Sequence, residues 1–134
     1  MKAVDTSVVI AAFATWHPAH VRARQKLDAS PRLPGHAGLE AYSVLTRLPR
    51  PHRAAPREVR AFLGAEFPAP WLVLDGTEVA ALVQRLAALG IAGGPTYDAL
   101  IAATALQAGA TLITRDRRAL PTYERLGVDI EFLG

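Results

Sequence analysis

Two acidic residues frame the most informative stretch of the chain, which runs from residue 95 to residue 116. Asp98 lies in the first turn of a predicted helix, and from Tyr97 to Ala108 that helix is apolar on nearly every side, which is typical of a buried helix. Asp116 directly follows 111–113, a predicted short buried strand. A helix that packs antiparallel to the next strand begins where that strand ends. The sequence therefore predicts that Asp98 and Asp116 lie side by side.

Two further acids occupy comparable positions nearer the N-terminus. Asp5 follows a predicted strand at 2–4, and open parallel sheets bind their ligands at the carboxyl ends of strands. Taken alone, Asp5 is equally compatible with an N-cap of the next helix, with Thr6 and Ser7 as rival caps. Glu40 opens a predicted helix at 39–48, where the helix dipole alone accounts for a glutamate by a few tenths to about 1 kcal/mol. Both residues thus have a structural as well as a chemical interpretation.

A cluster of three or four carboxylates needs a compensating charge. At an effective dielectric constant near 20, two unit charges about 4 Å apart repel each other by about 4 kcal/mol, and the sequence indicates no fixed lysine or arginine between these acids. A divalent cation removes that repulsion. Because the chain has no cysteine and no convincing histidine ligand, the oxygen donors favour Mg²⁺ or Mn²⁺ over Zn²⁺. Such an ion polarises a phosphoryl oxygen and lowers the pKa of bound water.

The elements that position these acids alternate along the chain. Strands are predicted at 2–4, 71–74, 111–113 and 128–132, with a short strand or a helix entry at 36–38. Helices are predicted to start at 8 and to cover 19–30, 39–48, 56–64, 78–89 and 97–108, the last with Thr96 as N-cap and Gly109 as the glycine after its end. This alternation predicts a single α/β domain over residues 1–134, with a mostly parallel central sheet and helices on both faces.

Two other groups of residues are given structural interpretations. Asp75 follows a predicted strand, but Asp75-Gly76-Thr77 combines turn and cap chemistry. His17 and His20 flank a prolyl turn, with no cysteine nearby, and are interpreted as surface residues rather than metal ligands.

Composition excludes several classes of protein. With 134 residues, 51% of them hydrophobic, the chain is expected to fold around one core rather than to be disordered. No apolar run approaches the roughly 20 residues of a membrane helix and the first residues do not form a signal peptide, so a soluble, cytoplasmic protein is expected. The absence of cysteine excludes disulfides and thiolate chemistry. A net charge of +3, carried mostly by arginine, favours an anionic, phosphate-bearing partner.

Four motifs in register resemble those of the PIN-domain nucleases, and most closely the VapC toxins of bacterial toxin–antitoxin pairs. They are Asp5-Thr6-Ser7, Gly38-Leu39-Glu40 followed by 45–49, the segment 97–103, and Thr114-Arg115-Asp116. The resemblance covers the whole chain and implies a PIN-like three-layer α/β/α fold. It also implies a Mg²⁺-dependent endoribonuclease whose metal is surrounded by Asp5, Glu40, Asp98 and Asp116.

Supporting hydroxyl groups and partners follow from the same resemblance, and the basic residues beside Asp116 add a further expectation. Thr6 and Thr114 are expected to support the acids through their hydroxyl groups. Next to Asp116, an arginine cluster is expected to contact the RNA backbone, and it comprises Arg115, Arg117 and Arg118, with the 50–60 region as an outer basic surface. The expected partners are the RNA substrate, a VapB-type antitoxin whose tail occupies a groove near the acids, and a second copy in a homodimer. Apolar surface for such contacts is expected from Val9, Phe13 and Trp16.

Two other functions remain open at this point. A haloacid-dehalogenase-like phosphatase also carries an acid after its first strand, but it requires a second aspartate two residues further on, and residue 7 is serine. A non-catalytic module that keeps the PIN fold and binds RNA or a protein partner would be indicated by the loss of an acid. All four acids are present.

Overall fold

The computed structural model describes residues 1–134 and has the expected α/β architecture. Three parallel strands pair in the spatial order β1–β2–β3, with β1 at Lys2–Val4, β2 at Thr111–Thr114 and β3 at Ile130–Phe132. Seven helices connect or flank them: α1 (Thr6–Phe13), α2 (His20–Leu27), α3 (Gly35–Thr46), α4 (Pro56–Glu66), α5 (Gly76–Leu89), α6 (Pro95–Gln107) and α7 (Leu120–Leu126).

The central strand β2 determines where the acids meet. Ala3 of β1 pairs with Leu112, and Leu112 pairs in turn with Ile130 of β3. Leu112 and Ile113 are almost completely buried, as the near-continuous apolar run of a parallel strand requires. The hydrophobic core is continuous from Ala3 to Val128. The carboxyl ends of β1 and β2 therefore lie side by side above one packed interior.

The segment predicted as a strand at 71–74 is not one in the structure. Its only sheet contact is a bridge between Leu72 and Pro34, and Arg32 makes a similar single bridge to Ala3. Pro34 has no backbone N–H to donate, which ends the pairing of Arg32 with β1, and the chain enters α3 at Gly35, which ends the pairing with Leu72. The segment 36–38, left open as strand or helix entry, belongs to the first turns of α3.

Two predictions about residues at helix ends are confirmed, and one is wrong. Asp75 caps α5 in a reciprocal capping box with Glu78, which confirms its structural role. Gly109, after α6, has a positive φ of 71°, which confirms it as the glycine that ends that helix. The prediction of Thr96 as N-cap was wrong, because α6 begins at Pro95, and proline favours the first helical position.

Two of the three residues expected to provide surplus apolar surface do not provide it. Val9 is completely buried, and Phe13 packs edge-on against Phe62 with ring centroids 5.3 Å apart. Trp16 alone is exposed, by 47%. None of the helices combines the length and the apolar character needed to cross a bilayer.

Candidate active site

Asp5 lies at the end of β1 and is the best-connected side chain of the site. Its Oδ1 accepts hydrogen bonds from the backbone N–H groups of Ser7 (3.0 Å) and Val8 (3.3 Å) and from the Ser7 hydroxyl (2.5 Å). Its Oδ2 accepts from the hydroxyl groups of Thr114 (2.5 Å) and Tyr123 (2.8 Å). Asp5 is therefore the N-cap of α1 and at the same time a link to β2 and α7.

The partners of Asp5 maintain it as a buried carboxylate. Desolvation raises the pKa of Asp5, and the hydrogen bonds from Ser7, Thr114, Tyr123 and Val8 oppose that rise. Burial and the negative charge of Asp5 also raise the pKa of Tyr123, so its phenol remains a neutral donor. All five hydrogen bonds run towards Asp5, which is the pattern that an ionised carboxylate requires.

Thr114 and Ser7 connect Asp5 to the loop after β2. The Thr114 hydroxyl donates to Asp5 and accepts from the backbone N–H of Asp116 at 3.0 Å. The Ser7 hydroxyl donates to Asp5 and accepts from the backbone N–H of Arg115 at 2.9 Å. The position of Asp116 thus depends on Asp5 through one intervening hydroxyl, which is the supporting position predicted for Thr114.

Three of the four predicted acids line one cavity of about 480 Å³ above this network. Glu40 comes from α3, Asp98 from the first turn of α6, and Asp116 from the loop after β2. The other residues of the lining are Thr6, Ser7, Ile10, His17, Val44, Arg115 and Arg118. The structure therefore places Asp98 and Asp116 at the same cavity, while Asp5, only 2% exposed, lies beneath its floor.

Asp98 has the clearest electrostatic signature of the cluster. Desolvation, followed by the charges of Asp116, Glu40 and Asp5, raises its pKa from the usual 3.8 to about 6, and Arg118 opposes this only in part. The three neighbouring carboxylates act on Asp98 in the same direction, so they lie close enough to repel it. A cation in the cavity would relieve that repulsion.

The donor chemistry of the cavity fits a hard divalent cation, although the side chains do not form a closed cage by themselves. No group of three acidic or histidine side chains is placed to hold an ion together. Mg²⁺ usually keeps several of its own waters and binds to one or two carboxylates. Thr6 was expected to support the acids through its hydroxyl group, but its hydroxyl oxygen is buried at the cavity without a hydrogen-bond partner, and Ser7 makes that contact to Asp5 instead. The Thr6 oxygen is therefore a free donor atom for such a hydrated ion.

The three arginines of the predicted RNA-contacting cluster have different environments. Arg118 lies at the rim of the cavity, 93% exposed, with its Nε 3.6 Å from Oδ1 of Asp116. Arg115 lines the cavity, and its buried Nε has no hydrogen-bond partner. Arg117 lies elsewhere, with its guanidinium carbon 4.5 Å from the centre of the Phe132 ring. The carboxylates therefore do have an arginine beside them, but one that solvent largely screens.

Sequence reasoning missed the contribution of His17, which lines the cavity beyond the end of α1. Burial and the nearby charges of Arg115 and His20 lower its pKa, so it is neutral near pH 7. No local signal distinguishes it from a surface histidine, since only the packing of α1 against α3 brings it to the cavity. A larger and more apolar cavity of about 690 Å³ lies between α3, α4 and Trp71, but it contains no carboxylate.

Comparison with known proteins identifies the family to which this fold belongs. A family model described as the PIN domain matches residues 2–125, and the chain therefore belongs to the PIN-domain family. Within that family it is of the VapC type. It is 50% identical over 133 residues to Ribonuclease VapC40 of Mycobacterium tuberculosis, with 99% of each chain covered. It is 44% identical over 129 residues to Ribonuclease VapC27 of the same species, with 96% of this chain and 93% of that protein covered.

Two solved structures share the fold at low sequence identity. One is FitAB bound to an IR36 DNA fragment, with a TM-score of 0.68, 19% identity, and 98% of this chain and 94% of that chain covered. The other is VapBC2 from Rickettsia felis bound to a DNA fragment from its promoter, with a TM-score of 0.67, 13% identity, and 99% and 98% of the two chains covered. These likenesses support the fold alone.

The raised pKa of Asp98 predicts a specific dependence of stability on pH. The folded state binds a proton at Asp98 more tightly than the unfolded chain does, so this residue favours folding at acid pH, and that contribution is lost as the pH rises from about 4 to about 6. In EDTA, Asp98→Asn should therefore be more stable than the wild type above about pH 6, and the gain should vanish below about pH 4. Urea unfolding of both proteins above about pH 6 and below about pH 4 measures this difference in the free energy of unfolding.

Asp75→Asn is the matched control for this prediction. Asparagine replaces aspartate as an N-cap with little loss, and Asp75 lies outside the acidic cavity, so no comparable pH-dependent gain is expected. An equal gain for Asp98→Asn at both pH values would show that the carboxylate repulsion is not its cause.

Proposed function

We propose that this protein is a Mg²⁺-dependent endoribonuclease and the toxin of a toxin–antitoxin pair. The observation that carries the proposal is the cavity in which Glu40, Asp98 and Asp116 repel one another beside free hydroxyl and arginine donors. RNA as the substrate is supported by the two relatives named ribonucleases, at 50% and 44% identity. Membership of the PIN family excludes the haloacid-dehalogenase alternative, which belongs to a different fold.

Each acid has a distinct part in the proposed reaction. Bound Mg²⁺ or Mn²⁺ supplies stabilisation of the charge on the scissile phosphate and a lowered pKa for bound water. Asp98 would be the firmest ligand in the cavity, and Glu40 and Asp116 would complete the ligand set, directly or through waters, and would orient the attacking water. Asp5 adds negative charge from beneath the cavity, and it becomes a direct ligand only by giving up one of its five hydrogen bonds.

Two arginines are suited to position the substrate. Arg115 combines a place in the cavity lining with a buried Nε that lacks a partner, so a phosphate oxygen satisfies a donor that is otherwise unpaired. Arg118 lies at the rim beside Asp116 and contacts the backbone of the neighbouring nucleotide. Substrate phosphates would therefore lie between the carboxylates, which repel them, and the arginines, which attract them, and a bound cation would weaken that repulsion.

A small antitoxin and a second copy of the chain complete the proposal. Two proteins of the same fold were solved in the assemblies FitAB and VapBC2, each on DNA. We infer a VapB-type partner for this chain, with its tail in a groove near the acids, where three carboxylates offer a counter-charge to a basic side chain. A toxin homodimer is the expected assembly state.

Metal-dependent cleavage is the first test. Incubation of total RNA with the protein should yield new 5′ ends in Mg²⁺ and none in EDTA. Asp98→Asn should lose at least about 100-fold in rate, since it weakens the metal site, while Asp75→Asn should cleave as the wild type does. In thermal melts, the gain in stability expected for Asp98→Asn in EDTA should shrink or reverse with Mg²⁺, which stabilises only the state that binds it.

Two results would contradict the proposed nuclease site. Wild-type protein that binds Mg²⁺ but leaves RNA intact is a non-catalytic module. Normal cleavage by Asp98→Asn means that the carboxylate site is elsewhere.

The salt dependence of RNA binding tests the assignment of the arginines. Each phosphate neutralised on a single strand contributes about 0.7 to the slope of log affinity against log salt concentration. Arg118→Gln should reduce that slope by about 0.7. Arg117→Gln is the matched control and should leave it unchanged, because its guanidinium packs on Phe132. A slope that Arg118→Gln does not alter would make Arg118 an ordinary solvated residue.

Co-expression tests the antitoxin. A short reading frame next to the toxin gene should encode a DNA-binding protein that co-purifies with this chain and suppresses its cleavage of RNA. Sedimentation of the free chain then reports the homodimer. A neighbouring protein that neither co-purifies nor inhibits cleavage would contradict the assignment.

A further inference from the structure

We propose that Trp16 and His52 form a base-stacking platform that holds single-stranded RNA next to the carboxylate cavity. This platform presupposes the nuclease activity proposed above and adds the form of the substrate and a residue that selects it. The platform is not part of the acidic cluster, and its members come from two separate loops.

The first observation is an aromatic pair that is exposed rather than packed in the core. The ring centroids of Trp16 and His52 are 4.1 Å apart and their planes are inclined by 32°. Trp16 is 47% exposed, and His52 lies at the surface. Stacking on His52 orders the indole without removing it from solvent. An ordered, accessible aromatic face is what a nucleobase requires for stacking.

The second observation is that the pair is continuous with the cavity. Along α1, the cavity lining runs from Thr6 past Ile10 to His17 beyond the end of the helix. The ring of His17 lies 6.0 Å from that of Trp16. Val44 of α3 lines the same cavity, one helical turn after Glu40. A strand of RNA that passes over the acids and follows α1 therefore reaches Trp16 next.

The third observation is the charge beyond the pair. Arg50 and Arg53 stand two residues before and one residue after His52 in the chain and line a separate open cleft of about 520 Å³ with Thr46 and Pro56. The Nε of Arg53 donates to the carbonyl of Leu48 at 2.9 Å, which fixes this side chain on the turn. An aromatic face flanked by arginines that attract phosphates is the combination found in grooves for single-stranded nucleic acid.

The geometry favours an unpaired strand over a duplex. In a duplex the faces of the bases are covered by their neighbours, so a protein ring stacks only on bases that are already unstacked. A base on the platform has its phosphates directed on one side towards Arg50 and Arg53 and on the other towards the cavity that contains Arg115. The platform thus sets which nucleotide lies over the acids.

Fluorescence offers a direct test because the chain has two tryptophans. In Trp71→Phe, Trp16 is the sole indole, and titration with an eight-nucleotide single-stranded RNA of mixed sequence, in EDTA so that no cleavage occurs, should quench its emission. In Trp16→Phe, where only Trp71 remains, the same RNA should leave the emission unchanged. Trp71 lies against Gly38 and lines the apolar cavity that contains no carboxylate.

Affinity supplies the second measurement. Trp16→Ala should weaken binding of the eight-nucleotide RNA by about 5- to 100-fold, while Trp16→Phe retains most of the affinity. The difference between Trp16→Ala and the wild type should disappear on an RNA of abasic sugars and phosphates. Trp16→Ala should not change the salt slope, whereas Arg53→Gln should reduce it by about 0.7. Circular dichroism verifies that each variant is folded.

Several results would overturn the platform. They are unquenched Trp16 emission, equal loss of affinity on the abasic RNA, and equal affinity of the wild type for a blunt duplex of the same sequence. A change in sedimentation instead of RNA affinity in Trp16→Ala would make the pair a contact between copies. Failure of the nuclease proposal gives a different result. If RNA quenches the tryptophan emission in EDTA but is not cleaved in Mg²⁺, the platform is supported and the nuclease activity is contradicted.

Discussion

The buried carboxylate of Asp5 is the constraint on which the rest of the site depends. An ionised group that is 2% exposed is tolerated only when its oxygens are fully paired. Its five donors come from the first turn of α1, the end of β2 and the helix α7. One charge therefore fixes three elements that are far apart in the chain, and the loop with Asp116 is attached to it through Thr114. Such hydrogen-bond networks are cooperative, and the positions of the cavity-lining elements depend on this one.

Above that network, the cavity combines charges that oppose one another. Desolvation and the charges of three neighbouring carboxylates raise the pKa of Asp98, while two arginines line the same cavity. A site built only to be stable would pair these charges with each other. Here only Arg118 and Asp116 approach, at 3.6 Å and in an exposed position. Uncompensated charge of this kind is typical of functional sites, where a bound ligand provides the opposite charge that the folded protein lacks.

The sequence predicted those features that depend on neighbours in the chain. The capping box at Asp75 and the glycine at 109 follow from local chemistry, and the pairing of Asp98 with Asp116 follows from the antiparallel packing of a helix on the next strand. The strand at 71–74 was predicted wrongly because its partner segment enters α3 at Gly35, which no property of 71–74 reveals. The burial of Asp5 was equally inaccessible, since it depends on Tyr123, which lies 118 residues away. Long-range contacts of this kind also bring His17 to the cavity.

Because the protein's own donors satisfy the oxygens of Asp5, folding does not depend on the binding of a metal ion. In small metalloproteins whose ligands remain unpaired until an ion arrives, the ion is part of the folding reaction. Here the oxygens of the most deeply buried acid are already hydrogen-bonded by hydroxyl and amide groups, and the other three acids line a cavity above the packed core. An enzyme of the proposed kind would thus be fully folded, but inactive, before a metal ion binds. In that case a divalent ion would be required for turnover but not for folding.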